Sequence, residues 1–231
     1  MSTREYRAPQ ELLEHLEKFD RAIVHNHEVP VNTAWWDGRL GSEAVAPGSA
    51  RPQGAIRRSD LFELAHDDGH DDWAERLLWN ALAWGTGTRS RNNGQRILSV
   101  QSSPDARQIL QDAAAASRND PDEAFGLFRS VRGRNTFAYL GPAFFTKFMY
   151  FAEAGRNGHS SAIVDQYVLD TLHSELGNSD FDLRFNFGRR VYRSALEAMG
   201  VWAADASEQV GRKIELDEIE YWAFTRGRER R

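Results

Sequence analysis

The chain has 231 residues, enough to bury a sizeable core, and its 41% apolar and 27% charged content is ordinary for a globular protein. It contains no cysteine, which excludes disulfides, zinc–thiolate sites and iron–sulfur clusters. Because no apolar run approaches the ~18 residues of a membrane span and the charged N-terminus is unlike a signal peptide, we expect a cytoplasmic chain without a membrane partner.

The N-terminal quarter combines one predicted helix with a long segment of little regular pattern. Apolar residues recur at helical spacing over 9–23, which predicts a helix. Residues 21–31 are the best candidate for a strand. From 26 to 58 the chain is rich in Pro, Gly, Asn and Ser, which predicts an irregular segment that holds Trp35 and Trp36.

The rest of the chain has the pattern of successive helices, so the predicted fold class is mainly α with a minor β element. The predicted helices cover 59–66, 71–84, 90–100, 104–117, 121–131, 143–154, 163–175, 184–199, 205–213 and 215–224, with a further element at 134–140. The final TRGRERR is expected to fray. We divide the chain into an N-terminal segment, 1–58, and a helical region, 59–231, within one compact unit that we expect to be a monomer.

Arginine is concentrated in three clusters, although the net charge of the chain is −5. The clusters cover 88–96, 129–134 and 184–193. Phosphate recognition needs a local positive face rather than a positive total charge. Each cluster alone is more often a solvated helix end, so the sequence predicts a nucleic-acid-binding face only if the clusters converge.

Lys147 lies in the aromatic stretch GPAFFTKFMYFAEA, whereas the other two lysines, Lys18 and Lys213, have charged neighbours. On a helix, Phe144 and Phe151 flank Lys147 on one face. A buried ammonium group is costly, so the amine either reaches the surface or loses its proton. A neutral amine is a nucleophile that forms Schiff bases with aldehyde-level carbons. The alternatives are a lysine exposed at a helix edge and a lysine that donates a hydrogen bond to a carbonyl.

Asp165 follows 18 residues later, in SSAIVDQYVLDTL. Ser160 or Ser161 can cap a helix whose first turn contains Asp165, where the positive helix end keeps a carboxylate ionised. The short connection predicts a helical hairpin that brings Asp165 towards Lys147. Plain capping is the simpler interpretation of an aspartate at this position.

The sequence YLGPAFFTK followed by AIVD resembles the helix–hairpin–helix DNA glycosylases, in the lysine-bearing branch typified by 8-oxoguanine glycosylases. That branch carries a Leu-Pro-Gly-Val-Gly-Thr-Lys hairpin and then Pro-Val-Asp, so its nucleophilic lysine maps onto Lys147 and its catalytic aspartate onto Asp165. Residues 76–97 are similar to the helix–turn–helix that enters the DNA, and 215–224 to the helix that walls the base pocket. The resemblance, over about residues 70–225, implies a glycosylase fold of two intertwined helical subdomains and no cofactor.

The hairpin departs from the family pattern. Ala143, Phe144 and Phe145 stand where the family has glycines whose N–H groups approach a DNA phosphate, and only Gly141 remains. Some divergent bacterial proteins described as 8-oxoguanine glycosylase-like lack this hairpin, and a few act in defence against phage DNA that carries glucosylated cytosines. The chain resembles this group, which implies a modified base such as glucosylated hydroxymethylcytosine and a role in antiviral defence.

The resemblance also implies that a base is flipped out of double-stranded DNA, which needs apolar walls, side chains that fill the hole and phosphate contacts. The predicted walls of the base pocket are Trp84, Phe144 and Trp222. The predicted DNA-binding residues are Arg89, Arg91, Asn92, Asn93, Arg134 and Gly141. The simpler interpretations are core aromatics and a capped loop. His25 and His27 in HNHE have no further ligands nearby in sequence, so no metal site is predicted.

Three functions remain open on the sequence alone. The first is a DNA glycosylase that excises a modified base, with Lys147 or water as the nucleophile; an 8-oxoguanine repair enzyme with AP lyase activity is its alternative within the same class. The second is a non-catalytic DNA-binding module of the same fold. The third is a helical protein–protein interaction domain in which the aromatic helix is only core.

Overall fold

The computed structural model of the protein describes residues 7–41, 54–66, 69–182 and 186–231. Within these ranges the chain forms twelve α-helices, one short 3-10 helix at Ser179–Phe181 and a two-stranded sheet. The predicted mainly α fold is confirmed. Among the helices of the described ranges, none has both the length and the apolar character needed to cross a bilayer.

The segment before residue 26 contains two helices where the sequence predicted one over 9–23. They are α1 (Gln10–Leu16) and α2 (Ala22–His25), and the strand predicted over 21–31 is confined to β1 (Glu28–Pro30). The break after α1 is a turn, and Asp20 accepts a hydrogen bond from the N–H of Ala22 at 2.8 Å where α2 begins.

The segment predicted to be irregular, 26–58, has regular structure over most of its described residues. Its two tryptophans lie on α3 (Thr33–Leu40), whose first turn is capped by the side chain of Asn32. β1 pairs in antiparallel register with β2 (Ala55–Arg57). Residues 1–6 and 42–53 of the predicted N-terminal segment lie outside the described residues.

Five helices follow the sequence predictions closely: α4 (Arg58–His66), α5 (Trp73–Thr86), α6 (Asn93–Gln101), α7 (Ala106–Ser117) and α8 (Pro121–Phe128). Local chemistry explains the agreement at α8, because Asp120 accepts the N–H groups of Asp122 and Glu123 and proline occupies the first helical position. The element predicted at 134–140 is an irregular connection, preceded by a turn in which Gly133 has a positive φ of 76°.

The next two helices are joined by the expected short connection but hardly contact each other, so the predicted packing as a helical hairpin is wrong. α9 (Pro142–Ala152) runs through the core and contacts α5, α7 and α8, whereas α10 (Gln166–Leu176) packs mainly on the C-terminal helix. Aromatic rings fill the space around α9; Phe145 stacks on Phe128 with ring centroids 5.0 Å apart. α9 is buried over most of its length, so its lysine lies inside the protein.

The last two helices are longer than predicted. The helices predicted at 184–199 and 205–213 are one helix, α11 (Arg189–Val210), because Met199, Trp202 and Ala206 continue its buried face across the predicted break. Residue 184, where the first of them was predicted to begin, lies outside the described residues.

The helix predicted at 215–224 is α12 (Leu216–Glu229), and it includes most of the tail that was expected to fray. Arg230 and Arg231 form ion pairs with Glu175 and Asp170 of α10, each at 2.6 Å. Gly227 brings α12 against the backbone of α10, which a larger residue would prevent. α1 also contacts α11 and α12, and the division of the chain at residue 58 stays a prediction.

Candidate active site

Lys147 lies in the middle of α9 with its side chain 9% exposed. Its Nζ donates a hydrogen bond to the carbonyl of Ala143, one turn earlier, at 2.8 Å. The facing helix α5 presents Gly85 at this point, where a Cβ would lie 2.8 Å from Cδ of Lys147, inside ordinary contact distance. The side chain of Lys147 therefore occupies space that any side chain at position 85 would fill.

Asp165 is the N-cap residue of α10, which corrects its predicted place in the first turn. Its Oδ1 accepts hydrogen bonds from the N–H groups of Tyr167 at 2.9 Å and Val168 at 3.3 Å. Oδ2 lies 3.6 Å from Nζ of Lys147. One carboxylate thus caps a helix and faces the lysine, so the capping interpretation of Asp165 is confirmed and its catalytic role stays a prediction.

The predicted caps, Ser160 and Ser161, hold the connection between α9 and α10 instead. Both donate their backbone N–H groups to the fully buried carboxylate of Glu153. Thr146 then joins the two ends, because its Oγ1 accepts the N–H of Val164 at 3.3 Å. The hydroxyl proton of Thr146 has two acceptors, the carbonyls of Pro142 at 2.8 Å and Val164 at 3.2 Å. Thr146 and Val164 immediately precede the lysine and the aspartate, so these bonds fix the separation of the pair.

The environment of Lys147 favours its neutral form more than water does. Burial lowers the pKa of Lys147 below its ordinary value, and the charge of Arg58 acts in the same direction. The carboxylates of Asp165 and Glu220 oppose this shift only in part. A nucleophilic amine is therefore more available at neutral pH than on an exposed lysine.

A cavity of about 320 Å³ opens beside this pair, within the size range of small-molecule sites. Trp84 and Arg89, which the sequence indicated, line it together with Lys147 and Asp165. Six further lining residues with a charged or aromatic side chain were not predicted: His27, Arg58, Tyr167, Glu220, Phe224 and Arg228.

A buried ion pair forms one side of the cavity. Both terminal nitrogens of Arg58 donate to the carboxylate of Glu220, at 2.7 and 3.3 Å, and each side chain is 1% exposed. Burial alone would lower the pKa of Arg58, but Glu220 raises it above its ordinary value, so the guanidinium stays charged. The guanidinium also lies 5.2 Å from the ring centroid of Trp84, a cation–π contact that steadies this wall.

Four aromatic rings follow one another along the cavity. His27 lies 5.3 Å from Trp84 and 6.1 Å from Phe224, and Phe224 lies 5.5 Å from Tyr167. Such walls suit a flat heterocycle. Glu220, Phe224 and Arg228 recur every four residues, and this one-face pattern on α12 was the signal that could have identified them.

Two predicted wall residues do not line this cavity. Trp222 points to the other side of α12, where its ring lies 6.1 Å from that of Trp202 in the core. Phe144 lies under the guanidinium of Arg96, 3.7 Å from the ring centroid. The helical repeat explains the error at 222, since residues two positions apart on a helix face different directions.

The predicted DNA-contact residues divide into exposed and buried groups. Arg89, Arg91, Asn92 and Arg134 are exposed, and Asn92 has a positive φ of 64°. Asn93 corrects the predicted set because it is fully buried and its amide donates to Thr86 at 3.0 Å. Gly141 is half-buried as the N-cap of α9.

Arg96 joins the first arginine cluster to the connection before α9. Its Nε donates to the carbonyl of Tyr139 at 3.0 Å and its Nη1 to the carbonyl of Arg91 at 3.2 Å. The loop before α6 and the connection before α9 therefore lie side by side. In the third cluster Arg189 and Arg190 form ion pairs with Asp122 and Asp180, and 184–185 lie outside the described residues.

The histidines of HNHE separate in the structure. His25 lies 3.6 Å from a carboxylate oxygen of Asp217, whereas His27 lines the cavity. Across the described ranges, no group of three or more His, Asp or Glu side chains is placed to hold a metal ion.

A family model described as "Putative 8-oxoguanine DNA glycosylase OGG-like protein" matches residues 22–224. The match spans most of the chain and contains Lys147, Asp165 and every cavity-lining residue named above except Arg228. No curated protein and no solved structure matches the chain. The family match indicates a DNA glycosylase or a related function, and with it a DNA partner.

Proposed function

We propose that this chain, which belongs to the OGG-like family of 8-oxoguanine DNA glycosylases, excises a modified base that it has flipped out of double-stranded DNA. One observation carries the proposal: a buried lysine and a fixed carboxylate lie 3.6 Å apart at the wall of a cavity of about 320 Å³. A protein that only binds DNA needs neither group in a desolvated pocket.

The proposed chemistry begins at C1′ of the everted nucleotide. The neutral amine of Lys147 attacks C1′, and the N-glycosidic bond breaks with its electron pair on the base, which leaves as an anion and takes up the proton that the amine has passed to Asp165. Asp165 stabilises the oxocarbenium character of C1′ and accepts the proton that the attacking amine loses. The sugar ring then opens to a Schiff base with Lys147, from which β-elimination cleaves the strand.

The DNA approaches, in this proposal, from the side of Arg89, Arg91 and Arg134. Their exposure supports phosphate contact, and the proximity of the two loops through Arg96 supports a continuous face. Asn92, exposed between the arginines, is proposed to fill the place of the everted base together with Arg91.

The finer proposal concerns the substrate. The family description points to 8-oxoguanine. The volume of the cavity also favours a test of bulky bases such as glucosylated hydroxymethylcytosine. That base is the substrate expected of a protein that acts against phage DNA. The charged and aromatic residues that line the cavity support a base with additional polar groups, which could form hydrogen bonds with them.

The experiment that tests this function is excision from duplex oligonucleotides, each with one 8-oxoguanine, uracil, alkylated purine, hydroxymethylcytosine or glucosylated hydroxymethylcytosine. Borohydride should trap the protein on the DNA that it processes, and Lys147→Gln should abolish the trapped adduct while keeping a polar side chain only one atom shorter. Base release without any adduct would show that water is the nucleophile. Release of no base from the whole panel would refute the glycosylase proposal.

A further inference from the structure

His27 is held at the cavity by its own backbone. Its carbonyl accepts the N–H of Arg58 at 3.3 Å and the indole N–H of Trp84 at 3.4 Å, so two cavity residues fix its position. The ring then lies edge-on to Trp84, at an interplanar angle of 81°. The imidazole is therefore a fixed part of the cavity wall rather than a loop side chain.

The imidazole of His27 has unused hydrogen-bonding capacity. Its Nδ1 is buried and has no hydrogen-bond partner within the part of the chain that the structure describes. Buried polar groups are nearly always paired, and an unpaired one is destabilising. Because Nδ1 is closed to solvent, a ligand in the cavity meets the other ring nitrogen, Nε2, or pairs with Nδ1 after the ring has turned over.

The charge state of His27 determines what it can recognise. Burial lowers its pKa to about 4, and the positive charges of Arg58 and Arg228 act in the same direction. At neutral pH the ring is therefore uncharged and offers one N–H donor and one acceptor lone pair. Burial and the guanidinium groups of Arg58 and Arg228 would likewise disfavour the binding of a cationic ligand.

We propose that His27 is a specificity-determining residue, which hydrogen-bonds the edge of the everted base and selects a neutral base over a cationic, N-alkylated one. This inference rests on the proposed function. Arg58 is paired with Glu220, and Lys147 faces Asp165. The remaining charged groups among the lining residues are the guanidinium groups of Arg89 and Arg228, so the cavity carries a positive excess that disfavours a cationic base.

The test compares two substitutions at one position. His27→Phe keeps a planar ring but removes the hydrogen bond, and His27→Asn keeps donor and acceptor atoms without the ring. His25→Asn is the matched control, because His25 belongs to the same short motif but lies against Asp217. Single-turnover excision is measured on the panel base that the wild type removes fastest, and binding is measured on a duplex with a tetrahydrofuran abasic analogue.

We expect His27→Phe to lose about tenfold to a hundredfold in excision rate, the range for one lost hydrogen bond to substrate, with His27→Asn retaining more. Binding to the tetrahydrofuran duplex should stay unchanged, because that ligand has no base. His25→Asn should behave like the wild type, and 7-methylguanine should not be released above its uncatalysed rate.

Failure of the inference about His27 and failure of the proposed function would give different results. If the wild type excises a neutral base and His27→Phe does so equally fast, the inference is wrong and the proposed function stands. If His27→Phe weakens binding to the tetrahydrofuran duplex as much as it slows excision, His27 only supports the fold. Accelerated release of 7-methylguanine would overturn the selection of neutral bases. A wild type that excises no base overturns both this inference and the proposed function.

Discussion

The close packing of Gly85 against Lys147 predicts that Gly85→Ala slows base excision while leaving the protein folded. The new Cβ would lie 2.8 Å from Cδ and 3.1 Å from Cε of Lys147. Carbon atoms prefer a separation of about 3.5–4.0 Å, so the lysine side chain must move by roughly 1 Å. A misplacement of that size can cost on the order of 10²-fold in rate.

The free energy of unfolding of Gly85→Ala should rise slightly or stay unchanged, although the excision rate falls. Gly85 lies in the last turn of α5 without a positive φ, so alanine is compatible with its backbone. Replacing glycine by alanine inside a helix stabilises a protein by about 0.5–1 kcal/mol, and the displaced lysine offsets part of this gain. Loss of rate at unchanged stability would separate displacement of the nucleophile from unfolding.

The assay is single-turnover excision on the panel duplex that the wild type processes, with urea denaturation and duplex affinity measured in parallel. Gly200→Ala in α11 is the matched control, since nothing lies within 4 Å of a Cβ at Gly200. It should gain a similar stability and keep the wild-type rate. Wild-type activity in Gly85→Ala would refute the reasoning, because it would mean that the position of Lys147 does not limit the reaction.

Three further predictions concern the carboxylate, the arginines and His27. Asp165→Asn should keep the helix cap and the duplex affinity but lose most base excision, because the charge acts in the transition state; excision near the wild-type rate would contradict its role. Arg91→Ala combined with Arg134→Ala should weaken binding of all duplex sequences alike and reduce the slope of log K against log salt by up to about 2; an unchanged slope would place these arginines away from DNA. The pKa of His27 is about 4 in the folded protein and about 6.5 in the unfolded chain. As the pH falls between these values, His27 is protonated in the unfolded chain but stays neutral in the folded protein, which favours unfolding. The wild type should therefore lose about 2 kcal/mol more unfolding free energy than His27→Phe over that range, after allowance for partial exposure, as urea denaturation at pH 7 and pH 4 would show.

The sequence by itself determined the helices and the reactive pair. Helices α4 to α10 have local causes, apolar spacing and capping residues such as Asp120, and the structure confirms them with shifted ends. Lys147 and Asp165 were identifiable because the connection between their helices is short, which keeps the start of α10 near α9 although the two helices hardly contact each other. The structure places them 3.6 Å apart; their catalytic roles stay a prediction.

Only the tertiary structure decided what surrounds this pair. His27 and Arg58 reach the cavity through the small sheet and α4, and nothing local in their sequence marks them, whereas Glu220 belongs to a one-face pattern on α12. The same holds for the tail, where Arg230 and Arg231, just beyond α12, pair with Glu175 and Asp170 of α10. Periodicity and capping act over a few residues, whereas burial and ion pairing act between any residues that the fold brings together, so the lining of the cavity had to come from the structure.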